Sequence, residues 1–123
     1  MLTAFSVGQV WQYQTRDHEP DSRITIVRID ADDKEFGNII HIYISDVDIP
    51  NEDAPQGKTT YIGHMPYDEG ALELCVTKKE ADLTELPDYE DGYQLWKSAF
   101  DQSQAGIFDV PVCEAIKFVQ QSI

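Results

Sequence analysis

Asn38-Ile39-Ile40-His41-Ile42-Tyr43-Ile44-Ser45 is the stretch that decides the fold class. Successive side chains of an extended chain point to opposite faces. Ile40, Ile42 and Ile44 therefore share one face, while Ile39, His41, Tyr43 and Ser45 share the other. A run so rich in β-branched residues, preceded by the charged turn Asp30 to Gly37, predicts a strand. Upstream, Ile24 to Ile29 predicts a second strand and Val10 to Thr15, after Gly8, another. Arg16 to Asp21, with Pro20, is the polar turn between them. Of Trp11 and Tyr13, one is expected in the core and the other at the surface. Downstream, the loop Pro50 to Gly57 leads to a fourth strand, Thr59 to Gly63. Short polar connections make this an antiparallel meander.

The pattern then changes to helices. Pro66 to Val76 predicts a short one, with Leu72, Cys75 and Val76 on one side and Gly70 weakening it. Thr77 to Leu86 is polar and has no clear period. Asp88 can cap the next helix, with Glu90 and Asp91 in its first turn. Tyr89, Tyr93, Trp96 and Phe100 recur along it at helical spacing, and Gly106 is a natural stop. That stripe is expected to pack on the sheet, with the Tyr hydroxyls at the rim. Ile107 to Val110 reads as a short strand, and Val112, Ala115, Ile116 and Val119 as the apolar stripe of a last helix entered through Pro111. The expected architecture is α+β: an antiparallel four- to five-stranded meander sheet packed by two or three C-terminal helices. One domain spans 1–123, with 1–64 mainly β and 65–123 mainly α.

Charge is the most unusual property. The 123 residues hold 23 Asp and Glu against 9 Lys and Arg, a formal net charge of -14. Such a surface repels phosphate backbones and anionic bilayers, so nucleic acid and membranes are poor partners, and a basic protein surface is a plausible one. Solubility alone is the plainer explanation. No apolar run is long enough to cross a bilayer, and Met1 to Phe5 shows no signal-peptide pattern, so a cytoplasmic location is expected. Cys75 and Cys113 are far apart, each in an apolar stretch, and are expected to be reduced and buried.

Catalytic motifs are missing. His18, His41 and His64 are dispersed, without Cys at ligand spacing, so no metal and no cofactor is expected. No G-x-S-x-G, phosphate-binding glycine loop or H-E-x-x-H is present, and no catalytic residue is assigned. If a pocket exists, His41, Tyr43 and His64 are its candidates, since Gly63-His64-Met65-Pro66 joins two elements. The acids fall in two base-free segments. Asp46, Asp48, Glu52 and Asp53 form one, and Asp82, Glu85, Asp88, Glu90 and Asp91 belong to the other. Both are candidate partner-binding surfaces.

The segments Val7-Gly8-Gln9-Val10-Trp11, Glu19-Pro20-Asp21-Ser22, Ile62-Gly63-His64-Met65-Pro66 and Leu86-Pro87-Asp88-Tyr89-Glu90-Asp91-Gly92-Tyr93 resemble a group of small uncharacterised bacterial proteins. In size and acidity the chain is also similar to bacterial immunity proteins, which neutralise a cognate toxin. That likeness implies an acidic protein-binding module acting as a toxin inhibitor by occluding a basic active-site surface. The alternative is a small enzyme or ligand-binding domain with its pocket near His41 and His64. Oligomeric state is left open.

Overall fold

The computed structural model describes residues 5–32 and 36–122. Its elements run β1 (Gln9–Tyr13), β2 (Arg23–Asp32), β3 (Gly37–Pro50), β4 (Lys58–Asp68), α1 (Glu69–Cys75), β5 (Val76–Asp82), α2 (Glu90–Asp101) and α3 (Val112–Gln121). The five strands form one antiparallel sheet in the order β4-β3-β2-β1-β5. The α+β expectation holds. The first four strands are the meander, and β5 returns to the far edge beside β1.

Ile40, Ile42 and Ile44 are fully buried and pack in one cluster with Ile24, Ile26, Met65 and Tyr67. Leu72 and Cys75 of α1 and Val112, Ala115 and Ile116 of α3 complete it. Cys75 is buried, Cys113 is half-buried, and both are free thiols. The opposite face carries α2, which packs against β4.

Several local expectations are corrected. Trp11 and Tyr13 both pack on the core cluster, because residues two apart in a strand share a face. The hydroxyl of buried Tyr13 meets Ser22 Oγ at 2.7 Å. Pro66 does not open a helix. It lies inside β4, paired with His41 and flanked by buried Met65 and Tyr67. A proline is tolerated there because β4 is an outer strand of the sheet. The helix starts at Glu69 instead, where Asp68 Oδ2 accepts from Ala71 N at 2.9 Å. Val76 to Asp82, polar in sequence, is a strand. The expected strand at Ile107 to Val110 shrinks to a single parallel bridge, Tyr67 to Phe108. Tyr89, not Asp88, takes the N-cap position of α2, and Asp88 Oδ1 accepts from Glu90 N at 3.3 Å. That helix ends before Gly106. Ser103 turns the chain with φ 58°, and Gln104 N donates to Ala99 O at 2.8 Å. The readings of Met1 to Ala4 and of the middle of the turn at 33–35 lie outside the described residues.

Candidate functional site: an Asp-His-His chain beneath an aromatic helix

Three neighbouring strands each place one polar side chain beneath α2. Asp30 comes from β2, His41 from β3 and His64 from β4. A register shift between Ile26 and Arg28 sets Arg28 opposite His41, and with it the carboxylate of Asp30 on the same face. A second shift, between Ile42 and Ile44 of β3, accompanies the approach of His64.

The hydrogen bonds form one directed chain. His41 Nε2 meets Asp30 Oδ2 at 3.0 Å, and His41 Nδ1 meets His64 Nε2 at 2.8 Å. A carboxylate only accepts, so neutral His41 donates from Nε2 and accepts at Nδ1. His64 must then donate from Nε2, which leaves its Nδ1 as the terminal acceptor. Tyr93 OH donates to Asp30 Oδ2 at 2.9 Å, and Arg28 Nε donates to Oδ1 at 3.0 Å. The Arg28 guanidinium also sits 4.3 Å from the centre of the Tyr93 ring.

Electrostatics follow from burial. Burial lowers His41 to about 4, against the attraction of Asp30. Burial, with His41 close by, also lowers His64 to about 4. Burial alone would raise Asp30, but hydrogen bonds from Arg28 and Tyr93 outweigh it and hold the carboxyl below its usual range. At neutral pH the cluster is therefore one carboxylate and two neutral imidazoles.

The helix side is aromatic. Trp96 and Tyr93 meet the His41 ring edge-on, with centroids 4.9 and 5.0 Å away. Trp96 Nε1 donates to Gly106 O at 2.8 Å, which ties the loop after α2 to the same cover. Gly92 permits the close approach: a Cβ built there would lie 2.9 Å from His64 Cβ. The Tyr93 hydroxyl thus points inward to Asp30, where the sequence suggested a rim position.

The structure brings His41 and His64 together and leaves Tyr43 out. Tyr43 stacks on Tyr61, with centroids 5.7 Å apart. His18 is exposed in its turn, with Nε2 3.3 Å from Asp48 O. Both ring nitrogens of His41 are used within the chain of bonds, so the pair does not converge on a common point. Among the described residues, no group of three His, Cys, Asp or Glu could hold a metal ion. Such a chain can relay a proton in principle. With imidazoles near 4 and α2 drawn over them, it acts first as a polar clamp between sheet and helix.

The acidic candidates separate into paired and unpaired groups. Asp82 is paired with Lys79 at 2.9 Å. Asp46, Asp48, Glu52, Asp53, Glu85, Asp88, Glu90 and Asp91 have no ion pair among the described residues. Asp46 and Asp48 lie in β3 and, with Asp21, line a cleft of about 340 Å³ that also meets His18 and Lys58. Asp46 has φ 54°, a left-handed conformation that Asp tolerates better than most residues. Buried Glu19 at the base of this cleft is satisfied by the Arg16 guanidinium and by Asp48 N at 2.8 Å. Glu52 and Asp53 lie on the exposed turn before β4. No helix among the described residues is long and apolar enough to cross a membrane. Comparison with protein-family models, with curated proteins and with solved structures gave no match.

Proposed function

We propose that the chain is a protein-binding module for a basic partner, most concretely an immunity protein that covers the basic active-site surface of a toxin. The reading rests on one observation. Arg16, Arg23, Arg28, Lys79, Lys97 and Lys117, six of the nine Lys and Arg, are engaged in ion pairs within the chain, while exposed Asp46, Glu52, Asp53, Glu85, Asp88, Glu90 and Asp91 and half-buried Asp48 have none among the described residues. Carboxylates held on strands and a turn, with few local cations to satisfy them, speed association and select a cationic partner. The cleft lined by Asp21, Asp46 and Asp48 gives such a partner a concave seat.

The alternative, a ligand pocket at His41 and His64, loses support because Tyr93 and Trp96 pack onto the pair. The test is capture of interacting proteins from the native cell with the wild type and with a D21N/D46N/D48N variant. One stoichiometric basic partner, held by the wild type and lost by the variant, is expected. Equal recovery by both, or no partner with the wild type, would overturn the reading.

A further inference from the structure

The acidic cleft does not account for two strongly exposed apolar side chains on α1 and α3. Leu74 of α1 is 85% exposed and Phe118 of α3 is 62% exposed. Between them runs the segment Ile107 to Pro111. On one side of Val110 lies a hollow of about 370 Å³, with Phe108 and Ala115 in its lining and Phe118 at its wall. On the other side lies a smaller one of about 100 Å³, bounded by Ala71, Leu74 and Cys75. Val110 and Asp109 line both, so the two hollows form one groove with a ridge across it.

The groove is held in place by the fold. Phe108 N donates to Pro66 O and Asp68 N donates to Phe108 O, each at 2.9 Å, which fixes the segment to the end of β4. Tyr67 OH donates to Val110 O at 2.8 Å, so the ridge is anchored from the core. Phe108 stacks on Tyr67 and meets Phe118 edge-on. A preformed apolar groove of this kind marks an interaction site, because large exposed apolar side chains gathered together are otherwise unfavourable.

Its rim is acidic. Exposed Asp109 sits on the ridge and lines both hollows, and exposed Glu114 of α3 lines the larger one. The cation that comes with the groove, Lys117, is already bound to Glu114 at 3.2 Å. A second copy of this chain would bring another acidic rim and another -14 of net charge against it. Like charges face to face disfavour that pairing. A cationic amphipathic helix satisfies both features, with apolar residues one turn apart entering the two hollows and Lys or Arg meeting the carboxylates.

We infer that the groove between α1 and α3 docks a basic amphipathic helix of the partner. The inference rests on the reading of the chain as a binder of basic protein, and adds an apolar contact that charge alone does not require. The test titrates the full chain with two fluorescent synthetic peptides of identical Leu and Lys composition. One has Leu at helical spacing on a single face, and the other has the same residues scrambled around the helix. The amphipathic peptide is expected to bind at least tenfold tighter. An L74S/F118S variant is expected to lose that advantage with an unchanged circular dichroism spectrum, since both side chains are exposed, and L95S, an equally exposed apolar site on α2, is expected to keep it. Equal binding of the two peptides, or full binding by L74S/F118S, overturns the groove while leaving the charge reading in place. Sedimentation as a dimer that L74S/F118S breaks also overturns it, in favour of a second copy. Binding of neither peptide at low salt overturns the groove and the basic-partner reading together.

Discussion

His41 carries most of the physics at the scale of single residues. It is fully buried, yet both ring nitrogens are satisfied, one by a carboxylate and one by a second imidazole. The arrangement is stable only while both rings are neutral. His41 and His64 titrate near 4 in the folded chain against an ordinary 6.5. Below 6.5 the unfolded chain therefore takes up protons that the folded one refuses. Stability is flat above that pH, falls between about 6.5 and 4, and levels off for these groups where the folded chain titrates too. At about 1.4 kcal/mol for each pKa unit, the loss is on the order of 3 kcal/mol per histidine. Urea midpoints measured in steps from pH 7.5 to 4 should show this slope, and His64→Gln should reduce it. Gly92 offers a second test. In an open helix, Gly→Ala gains about 1 kcal/mol. Here the new Cβ meets His64 Cβ, which is not a flexible chain end, so Gly92→Ala should instead destabilise by about 1–2 kcal/mol in denaturant titration.

Strands with a buried face were legible in the sequence, and strands without one were not. Ile40, Ile42 and Ile44 show the alternation because one side of β3 meets α1 and α3 across the core. β5 shows none, because Thr77 to Asp82 are all exposed and its order comes from backbone pairing with β1 at a sheet edge. The helix expected at Pro66 failed for a related reason. An all-buried segment such as Met65-Pro66-Tyr67 has no period to read. At the site, His41 and His64 were singled out from sequence. In the sequence pattern Asp30 opens a charged turn, whereas in the fold it lies in β2, two residues beyond Arg28, the residue that pairs with His41 across the meander. The bulge at Ile26 and Arg28 sets that register, and nothing in the local residue pattern announces it. Alternation puts Tyr43 on the face of His41 but does not say which neighbour α2 covers, and Tyr43 stacks on Tyr61 instead. Gly8 tests how β5 is held. It has φ 96°, donates to Ile26 O at 2.8 Å, and accepts from Leu83 N at 2.7 Å. An added Cβ would fall 2.6 Å from Leu83 O. Gly8→Ala should cost about 1–3 kcal/mol and accelerate amide exchange in β5 before the rest of the sheet.

The whole molecule separates two kinds of charged residue. Arg16 with Glu19, and Arg28 with Asp30, sit within the fold as satisfied pairs. Asp21 and Asp46 of the cleft, Glu52 and Asp53 of the turn before β4, and Glu85, Asp88, Glu90 and Asp91 of the run into α2 are exposed and have no ion pair among the described residues. An excess of this size, -14 in 123 residues, acts at a distance and, on the proposed function, would steer a basic partner before any contact forms. The acidic residues were therefore visible in the sequence as a composition, and their division into paired and unpaired ones was visible only in the fold. The apolar groove between α1 and α3 was not anticipated, since Leu74, Val110 and Phe118 lie in separate segments that only the core brings together. The central claim is that outward-facing acids recruit a basic protein. Its most direct test is the association rate of the captured partner, measured by stopped-flow at low and at high ionic strength. A rate that falls at least tenfold with added salt, and falls much less for D21N/D46N/D48N, is the predicted result. A rate that salt leaves unchanged would contradict it.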